Sequence, residues 1–442
     1  MRNPPGPRGF PGVGSLPAFS ADPLGFLREN AGYGDVVSFW LGGERLTQVT
    51  HPEYIGQVLL GHHRVMHKDQ LYKKLKNILG EGLITSEGEL WKRQRKVAAK
   101  PFGKKQVDNY ATEMVRLTNE WSIGGRDGDV RDINHEMMGV TQQIVLRCLF
   151  GTNFEADTER AGESLHVYLN NHMSEIFGLR RLLPSWISTP ARRQANAAAK
   201  VMDDIVYSVV AAKRAQDTSQ DDDVLSRLIN AAEVDGVQMS DRQLRDEAVT
   251  FFAAGHETTA LTLTYTYYLL STHPEAQDRL IAEVSDVLGG KRVTAASSRK
   301  LPFTKAVVQE AMRCYPPVWG IGREPTEDVE VGPYLFPAGS QLLLSQWVVH
   351  HDARWFDDPW DFKPQRWMDG LEDKLPRFAY FPFGGGPRVC IGNHFAMLEA
   401  IVILATIAQK WRFEATSDEP LTLSPSVTLR PGRPIRLQMR AL

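Results

Sequence analysis

The stretch best suited to chemistry is FPFGGGPRVCIGN, residues 381 to 393, where one cysteine, Cys390, sits among four glycines. Glycine opens backbone conformations closed to other residues and lets a partner approach closely. Such a loop can turn backbone N–H groups toward one sulfur. The apolar run HFAMLEAIVILATIAQKW that follows reads as a helix, whose N-terminal end adds positive potential. Both effects favour thiolate over thiol. A thiolate on a rigid loop is a metal ligand or a nucleophile, and no histidine-based partner pattern supports the nucleophile. A structural cysteine on a tight turn is the plainer alternative.

A second stretch, AAGHETTA (253 to 260), lies within the apolar run 248 to 270. Ala254 and Gly255 leave room for a ligand against the backbone. Glu257 and Thr258 place an acid and an alcohol beside that gap, which is the composition of a proton relay. Threonines that bond back to the preceding helical turn, with a glutamate that reaches solvent, are the bland alternative.

In QEAMRCYPPVW (309 to 319), Glu310 and Arg313 are three apart on one helix face. FKPQRW later supplies Arg366, and two arginines on one carboxylate make a structural knot. In ELWKRQRKVAAKPFGKK (89 to 105), Trp91 and Arg95 share a helix face, and that face can hold a carboxylate. Seven lysines and arginines run from Lys92 to Lys105 without an acid between them. The adjacent pairs His62-His63 and His350-His351 do not face one way and read as ordinary residues.

The elements that must position these groups are mostly helices. Helical patterns dominate from about 52 to 315, and helix returns after Cys390. A hairpin over 34 to 50 turns at Gly42-Gly43. Short strands and turns fill 320 to 375, and the tail LTLSPSVTLRPGRPIRLQMR alternates like strands. The segment DTSQDDDV (217 to 224) reads as a solvated loop, and no repeat or linker divides the chain. The expectation is one mainly α domain over 1–442 with a small β region.

Composition is consistent with this. The chain has 442 residues, 42% hydrophobic and 24% charged, and a net charge of -2. That balance does not suggest nucleic acid as a partner. Three scattered cysteines, Cys148, Cys314 and Cys390, argue against a disulfide framework and point to a reducing compartment, the cytoplasm. The N-terminus has no secretory signal pattern. Residues 248 to 270 have the length of a membrane span, but His256 and Glu257 at the centre favour a buried helix.

Taken together, the motifs resemble the cytochrome P-450 superfamily. Phe383, Gly386, Arg388, Cys390 and Gly392 fit its cysteine-loop signature, Phe-x-x-Gly-x-Arg-x-Cys-x-Gly. AGHETT matches its oxygen-activation helix, Glu310 and Arg313 its Glu-x-x-Arg pair, Arg366 the later arginine, and Trp91 with Arg95 its Trp-x-x-x-Arg helix. The lead-in PPGPRGFPGVG resembles the family's proline-rich start, with no transmembrane anchor before it.

The resemblance implies haem b between the oxygen-activation helix and the cysteine-loop helix, with Cys390 as the axial thiolate. Phe383 would shield the sulfur. Trp91, Arg95, Arg323 and Arg388 would hold the propionates. Glu257 and Thr258 would deliver protons, and Ala254 and Gly255 would make room for dioxygen. Leu75, Phe252, Val318, Trp319 and Val427 would line the substrate wall, and RRLLPSWISTP (180 to 190) would flank the way in. The implied reaction inserts one oxygen atom of O2 into a fatty acid, terpenoid or steroid-like molecule. Electrons would come from a separate ferredoxin or flavodoxin, docking on the Lys92–Lys105 stretch of a monomer. The alternatives are a peroxide-driven peroxygenase and a non-catalytic ligand binder, both of which the intact acid–alcohol pair disfavours.

Overall fold

The computed structural model describes residues 3–151, 160, 162–164, 167–168, 171, 189–215, 223–230 and 239–442. Nine of the described helices have ten or more residues: α1 (Gln70–Leu79), α2 (Gly88–Ala98), α3 (Lys104–Ile123), α4 (Ile133–Phe150), α5 (Pro190–Arg214), α6 (Asp241–Thr272), α7 (Pro274–Leu288), α8 (Pro302–Cys314) and α9 (Asn393–Ile407). Their starts carry local signals. Asp69, Asp132, Thr189 and Ser240 each accept a backbone N–H in the first turn of the following helix. Pro190, Pro274 and Pro302 stand at the first helical position, where a missing N–H costs nothing.

Helix α6 organises the rest. Its 32 residues span about 48 Å at the helical rise. It packs against α4, α5, α8 and α9, and nearly all of its residues from Leu244 to Ser271 are buried. Among the described residues no helix is long and apolar enough to cross a membrane. The apolar run at 248 to 270 is therefore core, as its central polar residues suggest. Helix α9 is almost entirely buried from Glu399 to Ile407, which matches a sequence apolar on every side.

The β structure is small. Strands β1 (Val36–Leu41) and β2 (Glu44–Val49) form the expected hairpin, with Gly42 and Gly43 at positive φ in a two-residue turn. With β3 (Met66–His67), β5 (Ile321–Pro325) and β8 (Gln341–Leu344) they make a five-stranded sheet ordered β1-β2-β8-β5-β3, and only β2 and β8 run parallel. Strands β6 (Val329–Val331) and β7 (Tyr334–Phe336) form a separate pair. At the C-terminus β12 (Arg436–Ala441) joins β4 (Val130–Asp132) and β9 (Trp411–Ala415), so the end of the chain returns to residue 130. The hairpin β10 (Leu423–Pro425) and β11 (Leu429–Pro431) lies against α6, where the Tyr265 hydroxyl donates to the Leu429 carbonyl at 2.8 Å.

One expectation is corrected at the end of DTSQDDDV. Residues 217–222 lie outside the described residues. Asp223 is buried, pairs with Lys213 at 2.6 Å and accepts the Ser226 N–H, so it caps a helix rather than standing in solvent. A buried lysine needs that counter-charge. Within RRLLPSWISTP, residues 180–188 likewise lie outside the described residues.

Candidate functional site

The cysteine loop is held by short-range bonds. The Cys390 N–H donates to the Phe383 carbonyl at 2.9 Å, and the Gly384 N–H to Phe381 at the same distance. The Phe381 N–H donates to His350 Nε2 at 3.1 Å, so a fully buried histidine ties the loop to the chain after β8. Gly386 has φ +68°, and a Cβ there would meet the Leu59 carbonyl oxygen at 2.1 Å. Both its conformation and its contact therefore require glycine.

Cys390 differs from the other two cysteines. Cys148 and Cys314 are buried, and burial pushes the Cys314 thiol up to about 12. Cys390 is exposed, yet protein surrounds it closely enough that burial raises its thiol too. The sulfur therefore faces an internal gap rather than bulk water. The Gly392 N–H, at the start of α9, donates to the sulfur, and the charge of Arg95 favours the thiolate. One backbone donor reaches the sulfur, where the loop's composition suggested several.

Part of α6 is accessible as well. Ala253, Ala254, Gly255 and Thr258 are partly accessible in a helix otherwise buried on both sides of them. The Thr258 hydroxyl donates back to the Ala254 carbonyl at 2.7 Å. Glu257 does not reach solvent, because its side chain is 4% exposed. Its Oε1 accepts from Thr428 Oγ1 at 2.7 Å and from Arg430 Nε at 2.5 Å. Gly255 has a packing role that its sequence neighbours do not reveal. A Cβ there would come within 3.1 Å of Val145 Cγ2 on α4, so its missing side chain also serves a helix–helix contact.

A cationic cluster lies near the cysteine loop. Arg388 stacks over the Trp91 ring at 4.2 Å and pairs with Glu87. Arg323 is buried, bonds Tyr72 and the Gly322 carbonyl, and repels Arg388. Burial, with Arg388 and Arg323 nearby, pushes the Lys68 ammonium down to about 6. Burial also lifts the Asp69 carboxyl to about 6, against two backbone donors. Like charges gathered under protein favour a bound anion. A cleft of about 560 Å³ adjoins the cluster and is lined by Trp91, Arg323 and Arg388, with His63 and Lys92 at its exposed rim. Lys68, Tyr72 and Glu87 had no sequence signal of their own.

The residues present fit a haem. Cys390 offers an accessible sulfur donor, one turn of α6 is accessible within an otherwise buried helix, and the Arg323 and Arg388 guanidiniums could neutralise two carboxylates. Of the wall residues, Leu75 and Phe252 are buried, Val427 packs against their cluster, and Val318 is half-buried. Trp319 is placed differently. It packs with Phe39 and Trp347 in another cluster, and its indole N–H donates to the Ser426 carbonyl at 2.8 Å. Glu310, Arg313 and Arg366 form the expected knot, with Trp367 Nε1 as an unanticipated fourth partner at 2.8 Å.

A mainly α chain whose cysteine loop leads into a buried helix packed on the long α6 fits the class of haem-thiolate monooxygenases. The family model for cytochrome P-450 matches residues 4–439, and the chain belongs to that family. It is similar to cyclooctatin synthase of Streptomyces melanosporofaciens, 33% identical over 433 residues, 98% of this chain and 94% of that protein. It is also similar to pentalenene oxygenase of Streptomyces avermitilis, 32% identical over 440 residues, 98% and 96% of the two chains. Cyclooctat-9-en-7-ol 5-monooxygenase of S. melanosporofaciens is 32% identical over 411 residues, 92% and 88%. The protein is thus an oxidoreductase that uses a haem iron with a cysteine thiolate, dioxygen, an apolar organic substrate and a redox partner.

Proposed function

We propose that this monooxygenase oxidises a terpenoid, and that Cys390 is the residue whose thiolate would hold the iron of haem b. The observation that carries the ligand assignment is the sulfur itself: of three cysteines, Cys390 alone is accessible, and it faces the gap with Gly392 N–H and Arg95 supporting its charge. When bound, the haem would supply the oxygen-activating chemistry of a monooxygenase, in which two electrons and dioxygen yield one oxygen atom in the substrate and one in water.

The chain's own residues do the rest. Arg95, Arg323 and Arg388 would hold the propionates, with Trp91 stacked on Arg388, and Phe383 of the loop would shield the sulfur. Phe252, Leu75, Val318 and Val427 present an apolar wall, which suits a hydrocarbon skeleton. The names of the relatives favour a terpenoid over a fatty acid or steroid. Glu257 supplies protons, and Thr258, its hydroxyl anchored on Ala254, passes them into the gap.

Electrons come from a ferredoxin or flavodoxin. Lys92, Arg93, Lys96, Lys100, Lys104 and Lys105 are exposed along and after α2, the helix that also carries Arg95 beside the sulfur. Positive charge on the helix beside the sulfur supports docking of an acidic donor there. Residues 1–442 act as one domain, as a monomer in the cytoplasm.

The deciding experiment is the absorption spectrum of the reduced protein with carbon monoxide. A strongly red-shifted Soret band, lost in Cys390→His, is the expected result. A histidine-type band in the unaltered protein would remove Cys390 as ligand. Titration with pentalenene, read as a spin-state shift, then tests the substrate class.

A further inference from the structure

The turn between β10 and β11 is fastened on several sides. Its Ser426 carbonyl accepts the Trp319 indole N–H at 2.8 Å. The Leu429 N–H donates to the Pro317 carbonyl, and the Leu429 carbonyl accepts the Tyr265 hydroxyl, both at 2.8 Å. Between these anchors, Thr428 and Arg430 both donate to Glu257 Oε1. They are two residues apart, so an extended chain points them to one side. Val427, the substrate-wall residue, belongs to the same turn.

A carboxylate as deeply buried as Glu257 protonates unless it is paired. Burial does push it up. The charge of Arg430, the hydrogen bonds from Arg430 and Thr428, and neighbouring His256 outweigh that and hold it below the usual carboxylate range. These are the groups that face it: Thr428 and Arg430 from the turn and β11, and His256 from α6. His256 is itself held down by burial, and its Nδ1–H donates to the Phe252 carbonyl at 2.7 Å.

We propose that Thr428 and Arg430 are positioning residues that keep Glu257 ionised and turned toward the β10–β11 turn, linking the proton-delivering acid to the turn that carries Val427. This rests on Glu257 acting as the proton donor. An acid held in this way must take a proton from water before it can pass one on. The turn's bonds to Trp319, Pro317 and Tyr265 fix both donors relative to α6. Displacing Val427 therefore also displaces the grip on Glu257.

The test is an infrared pH titration of the substrate-free holoenzyme. It follows a carboxylic-acid C=O band identified by its loss in Glu257→Gln. The expected result is a midpoint moved up by about one to three pH units in Arg430→Gln. A smaller rise is expected in Thr428→Val, with return toward the starting value in Arg430→Lys. An unchanged carbon-monoxide spectrum in Thr428→Val shows that the shift is not misfolding. A midpoint unmoved in both Arg430→Gln and Thr428→Val overturns the positioning pair. Hydrogen peroxide released per reductant consumed, with pentalenene as the probe, tests the relay separately. If Glu257→Gln leaves that ratio unchanged while the midpoint moves, the relay falls and the pair's link to proton delivery falls with it.

Discussion

Arg313 and Glu310 lie three residues apart on α8 and pair through two N···O contacts of 2.9 Å, with both side chains fully buried. Arg313 also donates to the carbonyls of His350 and Asp361, at 3.0 and 2.8 Å. Glu310 accepts from Arg366, Trp367 and the Lys363 N–H. The knot joins α8 to residues 350–367 further along the chain. His350, whose carbonyl Arg313 holds, contacts the cysteine loop through its ring.

Removing one partner of this knot should be severe. Arg313→Ala leaves Glu310 without two of its donors, and breaking a buried pair costs about 3–5 kcal/mol. The expected outcome is protein that fails to accumulate with haem, or unfolds at much lower urea. Arg366→Lys should cost far less, because Arg366 is partly exposed and makes one contact with the carboxylate. Equal midpoints for the two variants in urea would contradict the ranking.

Thr258→Ala should keep haem and bind pentalenene with the same spin-state shift, yet waste electrons. The variant loses the hydroxyl that Ala254 anchors. Product formed per electron pair falls and hydrogen peroxide rises. Coupling equal to that of the unaltered enzyme would end the relay role of Thr258.

Gly255 makes a packing prediction. Gly255→Val puts side-chain atoms against Val145 and should destabilise the protein by about 1–3 kcal/mol. Val145→Ala in the same chain should recover part of that loss, because the two sites share one contact. Strict additivity in thermal unfolding would show that the α4–α6 contact is not the cause.

Glu247 makes a pH prediction. Burial pushes its carboxyl up to about 8, against the Leu83 N–H that donates to Oε2 at 3.1 Å, while Asp246 raises it further. The folded protein therefore holds this proton where the unfolded chain has lost it. Stability from Glu247 is fully present below the ordinary glutamate range and drains away as pH rises to about 8. The loss is on the order of a few kcal/mol. Glu247→Gln should flatten stability against pH between about 5 and 8, as measured by urea unfolding at each pH. A slope unchanged by the substitution would refute this account.

The docking reading predicts a strong salt effect. Electron transfer from an acidic ferredoxin should slow as ionic strength rises, and Lys96→Glu with Lys100→Glu should slow it at low salt. Stopped-flow reduction rates insensitive to both changes would place the partner elsewhere.

Much of this protein is written locally. The helix starts at Asp69, Asp132 and Ser240, the Gly42-Gly43 turn, the buried α6 and α9, and the glycine-bound Cys390 loop all follow from short-range chemistry that a reader of the chain can apply. The Glu310–Arg313 pair is a matter of helical spacing, and Arg366 joins it as the family motif implies. Other features depend on partners far away in sequence. Thr428 and Arg430 meet Glu257 across more than 170 residues. Spacing shows that they share a side of a strand, but not which helix that side meets. Gly255 reads as free space until α4 fills it with Val145, and Trp319 reads as pocket wall until its indole finds the Ser426 carbonyl. The sequence by itself determined the elements and the glycine-rich turn around Cys390, because caps, turns and periodicity act over a few residues. Tertiary packing decided which buried charges face one another, because burial and counter-charge depend on neighbours that only the folded chain brings within a few ångströms.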